Sequence, residues 1–163
     1  WNPKLTTLTD LMLAKAMNTF SKEDLVHLQR GALLHGIGKM GIPDAVLRKP
    51  GPLTEAEMQI MRMEPVYAYQ TLSPIAYLRQ AVDIPYCCHE NWDGSGYPRG
   101  LKGEEIPIGA RMVAVVLAWD TLCSNKPGHP AQTGDEARKY LQEQSGKMFD
   151  PTIVEQFLKL MER

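Results

Sequence analysis

Four side chains in this sequence are of the types that hold transition metals: His35, Glu64, Cys88 and His89. Three of them fall on or beside stretches whose other inward positions are apolar, so a buried polar cluster has to be explained. Mixed nitrogen, oxygen and sulfur donors, four in number, suit a tetrahedral zinc ion, and a site with all four engaged would be structural, because catalytic zinc keeps a position for water. The competing reading is simpler. A lone inward histidine is more often a hydrogen-bonded core residue, and cysteine is buried mainly as a small hydrophobe.

A second group of residues offers recognition rather than proton chemistry. The run Asp93-Gly94-Ser95-Gly96-Tyr97-Pro98-Arg99-Gly100-Leu101 presents backbone amides, an aromatic face and a cation. Either it meets a partner, or it is a stiff connection in which Asp93 and Arg111 make internal ion pairs and Tyr97 packs on the core. Lys39 is a candidate phosphate contact, against the reading of a solvated surface lysine.

The elements that must position these groups read as helices throughout. Leu5, Leu8, Met12 and Ala16 mark an apolar stripe at helical spacing. Ser21-x-x-Asp24 resembles a capping box and opens a second helix, on which Leu25, Leu28, Ala32 and His35 share one face, so His35 points inward. Gly36, Gly38, Gly41 and Pro43 end it. Thr54-x-x-Glu57 opens a third helix carrying Met58, Met61 and Glu64 along one side, and Pro65 ends or kinks it. Ser73-Pro74 opens the next segment with proline in the first helical position, and Pro85 interrupts it before Cys87 to Glu90. The glycine-rich stretch from Asn91 to Pro107 is a loop. Pro107 then leads a long apolar helix to about Cys123, Thr133-x-x-Glu136 opens another, and Asp150-Pro151 starts the last. No run alternates with a period of two, so the fold is expected to be all-α.

Composition narrows the function classes. With 163 residues, 44% of them hydrophobic, the chain is expected to form a single domain over residues 1–163. A formal net charge of −1 with interspersed signs gives no footprint for duplex nucleic acid or an anionic membrane. No apolar run approaches the ~20 residues that span a bilayer. Three cysteines, two adjacent, do not form a disulfide framework, which suits a cytoplasmic location. The start at Trp1 without Met is read as a cut from a longer protein, this domain being its C-terminal part.

Three stretches together resemble one family. They are Leu33-Leu34-His35-Gly36-Ile37-Gly38-Lys39-Met40-Gly41-Ile42-Pro43, Lys49-Pro50-Gly51-Pro52-Leu53-Thr54, and His89 through Pro107 with Ala110-Arg111 and Ala114-Val115 beyond. The resemblance is to the HD-GYP group, helical phosphodiesterases that bind two or three metal ions and hydrolyse cyclic di-GMP. It implies an HD-superfamily helical bundle with an additional GYP-type loop and C-terminal helices. It also implies a metal site taken apart. An early metal-binding His would fall around Pro3 or Lys4, the HD pair reads His35-Gly36, a later His is Glu64, the His-His-Glu run reads Cys88-His89-Glu90, and an Asp on the long helix is Leu117. The turn Asn125-Lys126-Pro127-Gly128-His129-Pro130 also departs from the family's more basic and aromatic one.

The expected function is therefore a catalytically silent module of bacterial cyclic di-GMP signalling, acting through protein contact or ligand sensing. The alternative is a metal-dependent cyclic di-GMP phosphodiesterase with a remodelled site. No cofactor is expected on the first reading; on the second, a single zinc, iron or manganese ion would sit on His35, Glu64, Cys88 and His89. By analogy with the family, the loop residues Asp93, Gly94, Gly96, Tyr97, Pro98, Arg99 and Gly100 would meet a protein partner such as a GGDEF-type cyclase domain. Cyclic di-GMP and a second copy of the chain complete the expected partners.

Overall fold

Local sequence signals set the helix boundaries of the computed structural model, which describes residues 3–18, 20–125 and 130–162, with side chains described from residue 9 onward. The α-helices are α1 (Pro3–Met17), α2 (Lys22–Leu34), α3 (Asp44–Leu47), α4 (Glu55–Met61), α5 (Glu64–Leu72), α6 (Asp83–Cys87), α7 (Ile108–Cys123), α8 (Gly134–Glu143) and α9 (Pro151–Met161). Short 3-10 turns lie at Ile37–Gly41, Ala76–Leu78 and Gly103–Glu105, and no strand occurs among the described residues. Ser21, Thr54 and Thr133 each close a reciprocal capping box with Asp24, Glu57 and Glu136. The orphan amides of those first turns are thereby satisfied.

The all-α expectation holds, and α7 is the hub. Its Met112, Val113, Val115 and Val116 are buried against Leu13 of α1, Leu28 and Ala32 of α2, Leu141 of α8 and Ile153, Val154 and Phe157 of α9. Each such side chain contributes about 1.5–3 kcal/mol by leaving water, before chain entropy opposes it.

Three expectations need correction. The core face of α1 is Asp10, Leu13 and Ala14, while Met12 is 49% exposed and Ala16 is also exposed. Leucines at 8, 11 and 13 allow two helical phases, and packing on α2 and α7 selects the other one; the side chains of Leu5 and Leu8 lie outside the described residues. Pro65 does not end a helix. The chain breaks at Arg62–Met63, and Pro65 sits in the first turn of α5, where its missing N–H has no partner to lose. Pro85 likewise lies in the first turn of α6 rather than interrupting a helix, and Ser73-Pro74 belongs to the turn between α5 and the Ala76–Leu78 3-10 turn.

One ion pair ties the two ends of this core together. Arg111 Nη1 donates to Asp150 Oδ2 at 2.7 Å, with side-chain exposures of 15% and 6%. Asp150 also caps α9, its Oδ1 accepting from the Thr152 and Ile153 amides. The Arg111 guanidinium further lies 5.7 Å from the Trp92 ring centroid. The scaffold reading of the loop expected internal ion pairs for Arg111 and Asp93; Arg111 makes one, with Asp150, whereas Asp93 accepts hydrogen bonds from Ser95 instead.

Two predictions follow from burial. Arg111→Ala leaves Asp150 without its cation, and breaking a buried pair costs about 3–5 kcal/mol, so calorimetry should show the melting temperature falling by on the order of 10 °C. Asp10 is fully buried and neither carboxylate oxygen has a hydrogen-bond partner among the described residues. Burial holds its carboxyl well above the ordinary carboxylate range. The unfolded chain loses this proton first, so stability falls as pH rises from the ordinary carboxylate pKa toward the folded one. Asp10→Leu should flatten that slope and stabilise the fold at neutral pH by about 1–3 kcal/mol; an unchanged or lower melting temperature at pH 7 would refute this account.

Candidate functional site

His35 closes the C-terminal end of α2 and is 8% exposed. Its Nδ1 lies 2.7 Å from the Ala32 carbonyl oxygen, fitting a tautomer in which Nδ1–H donates. Burial, aided by the nearby Lys39 ammonium, pushes its pKa below the ordinary imidazole value. The chain then turns through Ile37–Gly41, where Gly38 lets the backbone pass hard against α5. A Cβ there would overlap the Glu64 carbonyl.

That close approach sets Glu64 at the start of α5, 4% exposed, facing His89. The His89 Nε2 to Glu64 Oε2 distance is 3.4 Å. Burial alone would lower the His89 pKa, but the Cys88 sulfur and the Glu64 carboxylate outweigh it and raise it to about 10. Cys88 itself is buried, its thiol directed at the Pro85 carbonyl at 3.8 Å.

The glycine-rich loop is fastened to this site from within. Glu90, 3% exposed, accepts the Arg99 amide on Oε1 at 2.7 Å and the Leu101 amide on Oε2 at 3.0 Å. Tyr97 N–H donates to the His89 carbonyl, and its ring stacks on the His89 imidazole at 5.2 Å with 7° between planes. The Arg62 guanidinium lies 5.8 Å from the Tyr97 centroid and that of Arg99 lies 6.0 Å from Tyr86. Trp92 and Asp93 amides donate to the Met148 and Lys147 carbonyls, tying the loop to the turn before α9. Gly96 presses on the backbone of Glu90 and Asn91, where a Cβ would collide. Tyr97–Pro98 is a cis peptide.

These residues do not fit a paired-metal centre. Among the described residues no three His, Cys, Asp or Glu side chains come together to hold a metal ion, and His129 is the one residue of those types outside them. Glu64 and His89 face each other, His35 turns Nδ1 to a backbone carbonyl, and the Cys88 thiol, directed at the Pro85 carbonyl, also stands beside the His89 ring. At Gly36 a Cβ would meet only Lys39 Nζ, at 3.9 Å. A carboxylate has room there, but an ammonium stands beside the space.

The model of the HD domain family matches residues 4–153. The chain belongs to the HD domain family. Its relatives include a cyclic di-GMP phosphodiesterase of Thermotoga maritima, 44% identical over an alignment of 140 residues that covers 83% of this chain and 38% of that protein. The cyclic di-GMP phosphodiesterase response regulator RpfG of Xanthomonas campestris is 44% identical over 141 residues, covering 85% and 37%. The chain thus spans less than two fifths of the length of these relatives. Among solved structures, the HDG"Y"P protein Bd1817 from Bdellovibrio bacteriovorus superposes with a TM-score of 0.76 at 20% identity, covering 97% of this chain and 50% of that one. The HD-GYP resemblance read from the sequence therefore stands, for the family and for the helical fold.

In HD-domain terms, the structure brings Glu64 and His89 into contact and keeps His35 within electrostatic reach of both. Leu117 lines a cleft with Cys88 and His89. Sequence reasoning gave Glu90 no role, although its two amide bonds hold the loop; an acid embedded beside a glycine-rich run was the available signal. Both parts of the arrangement can be tested. Histidine NMR titration should find His89 protonated at pH 8, and Glu64→Gln should lower its pKa by about 1–3 pH units. A folded pKa above the unfolded value of about 6.5 means that the contacts of His89 with Cys88 and Glu64 together stabilise the fold fully below pH 6.5, a contribution lost as pH rises through about 10. Glu90→Gln should accelerate amide exchange across residues 95–103, since a carboxamide has a single acceptor oxygen for the two amides; unchanged exchange there would show that the loop is held by other contacts.

Proposed function

We propose that this domain serves cyclic dinucleotide signalling without hydrolysing its messenger through paired metals, acting by ligand sensing or by contact with another protein. The observation that carries this reading is the self-paired Glu64 and His89 beside positions 36 and 117, which bear Gly and Leu. Two dications share a pocket only when bridging and anionic ligands offset their repulsion, and together they activate a water for attack. Losing groups that merely orient metal ligands costs about 10- to 100-fold in affinity or activity, and here ligands themselves are replaced.

A second reading is favoured by the relatives, whose names point to hydrolysis more directly than to silence. It is a metal-dependent cyclic di-GMP phosphodiesterase with one zinc, iron or manganese ion on His35, Glu64, Cys88 and His89. Protein contact, on the first reading, falls to the exposed part of the loop around Asp93, Arg99 and Gly100, with a GGDEF-type cyclase domain or a second copy as partner in the cytoplasm. Lys39, exposed beside Gly36, is the group we assign to a phosphate of bound cyclic di-GMP.

Metal analysis decides between the readings. Protein expressed with manganese, iron or zinc supplied should purify with well under one ion per chain, and added metal should yield no cyclic di-GMP turnover above background. Stoichiometric metal with turnover that disappears in both His35→Ala and His89→Ala would establish the second reading instead.

A further inference from the structure

Beside the His89–Glu64 pair, α7, α8 and the turn before α9 leave an open cleft of about 400 Å³. Its floor is Ala114, Leu117 and Ala118 of α7, its far wall Tyr140 and Phe149, and its near wall the stacked rings of His89 and Tyr97. The size falls within the range of about 300–1,000 Å³ that small-molecule sites occupy. No Lys or Arg is among the described residues that line it. The lining carboxylate, Glu90, is committed to the Arg99 and Leu101 amides, and the imidazole of His89 is committed to Glu64. A phosphodiester entering this cleft would be desolvated with no uncommitted cation to receive it, because the His89 imidazolium, the cation among the described lining residues, is already paired with Glu64; the penalty is several kcal/mol for each unpaired charge. A flat uncharged molecule faces no such penalty, because aromatic rings and small aliphatic side chains meet it on each side.

We propose that this cleft is a binding site for a neutral aromatic small molecule of one or two rings, distinct in chemistry from a cyclic dinucleotide. The proposal deepens the sensing reading above, since a ligand here touches the His89–Tyr97 stack and thereby the loop that carries Arg99. Leu117 is central to it. An aspartate at that position would put a carboxylate into the floor and make the cleft hostile to an apolar ring, whereas leucine gives it a dry surface.

Indole, an uncharged bicyclic probe, tests this by titration into isotope-labelled protein followed by NMR. Saturable shifts are expected at Ala114, Leu117, Ala118, Tyr140 and Phe149, with a Kd on the order of 0.1–1 mM for so small a ligand. Ala118→Phe fills the cleft from a rigid helix and should weaken binding at least about tenfold; Ala114→Leu fills it less and guards against a first variant that fails to fold. Cyclic di-GMP added in excess should not displace indole. The proposal is overturned if indole shifts do not saturate, if both folded variants bind it unchanged, or if cyclic di-GMP competes for the same residues. The metal and turnover measurements stand apart from this titration, so a hydrolytic outcome there leaves the cleft to be judged on indole alone.

Discussion

The carboxylate of Asp150 acts in two directions at once, and the arrangement of the site depends on it. One oxygen caps α9 and the other holds Arg111 at the start of α7, in a place where water does not compensate either charge. Because Arg111 also lies over Trp92, the same guanidinium positions the entry to the glycine-rich loop. Helix α7 lines the cleft with its Leu117 face while His89 and Tyr97 form the facing wall, so this pair is one of the ties between the two sides. Buried pairs of this kind are weak evidence for net stability, but removing one member leaves the other uncompensated, which makes the geometry all or none.

The loop follows the same logic on a smaller scale. Glycine-rich segments lose more backbone entropy on ordering than others, so a formed one needs tethers. Here Glu90 supplies two from a single buried side chain, the Lys147–Met148 turn supplies two more, and the aromatic stack of Tyr97 on His89 closes the connection. The loop is therefore a tethered scaffold: Tyr97 packs on His89, while Arg99 remains at the exposed rim.

Chemically, the site is built on local pairing. Glu64 and His89 satisfy one another, His35 bonds its own helix, and Lys39 stands beside the space a carboxylate at position 36 would enter. Each of these is a neutralised or hydrogen-bonded group, as buried polar atoms require. Beside them lies a cleft whose lining is largely apolar and aromatic.

The sequence by itself determined much of this. The capping boxes at Ser21, Thr54 and Thr133, the Asp150 cap and the inward phase of α2 are local features, decided by hydrogen bonds and periodicity within a few residues, and so was the all-α class. The run from His89 to Pro107 was also legible, because its glycines and prolines admit neither helix nor central strand. Tertiary structure decided the rest. Which face of α1 is buried depended on α2 and α7, since the leucines alone allowed two phases. Prolines 65 and 85 could be read as ends or as beginnings until packing fixed where the preceding turn stopped. The pairing of Arg111 with Asp150, 39 residues away, and of Glu64 with His89 are long-range choices among several carboxylates of equal chemical merit. No local rule ranks such partners; only the fold, by bringing one of them within reach and burying it, does.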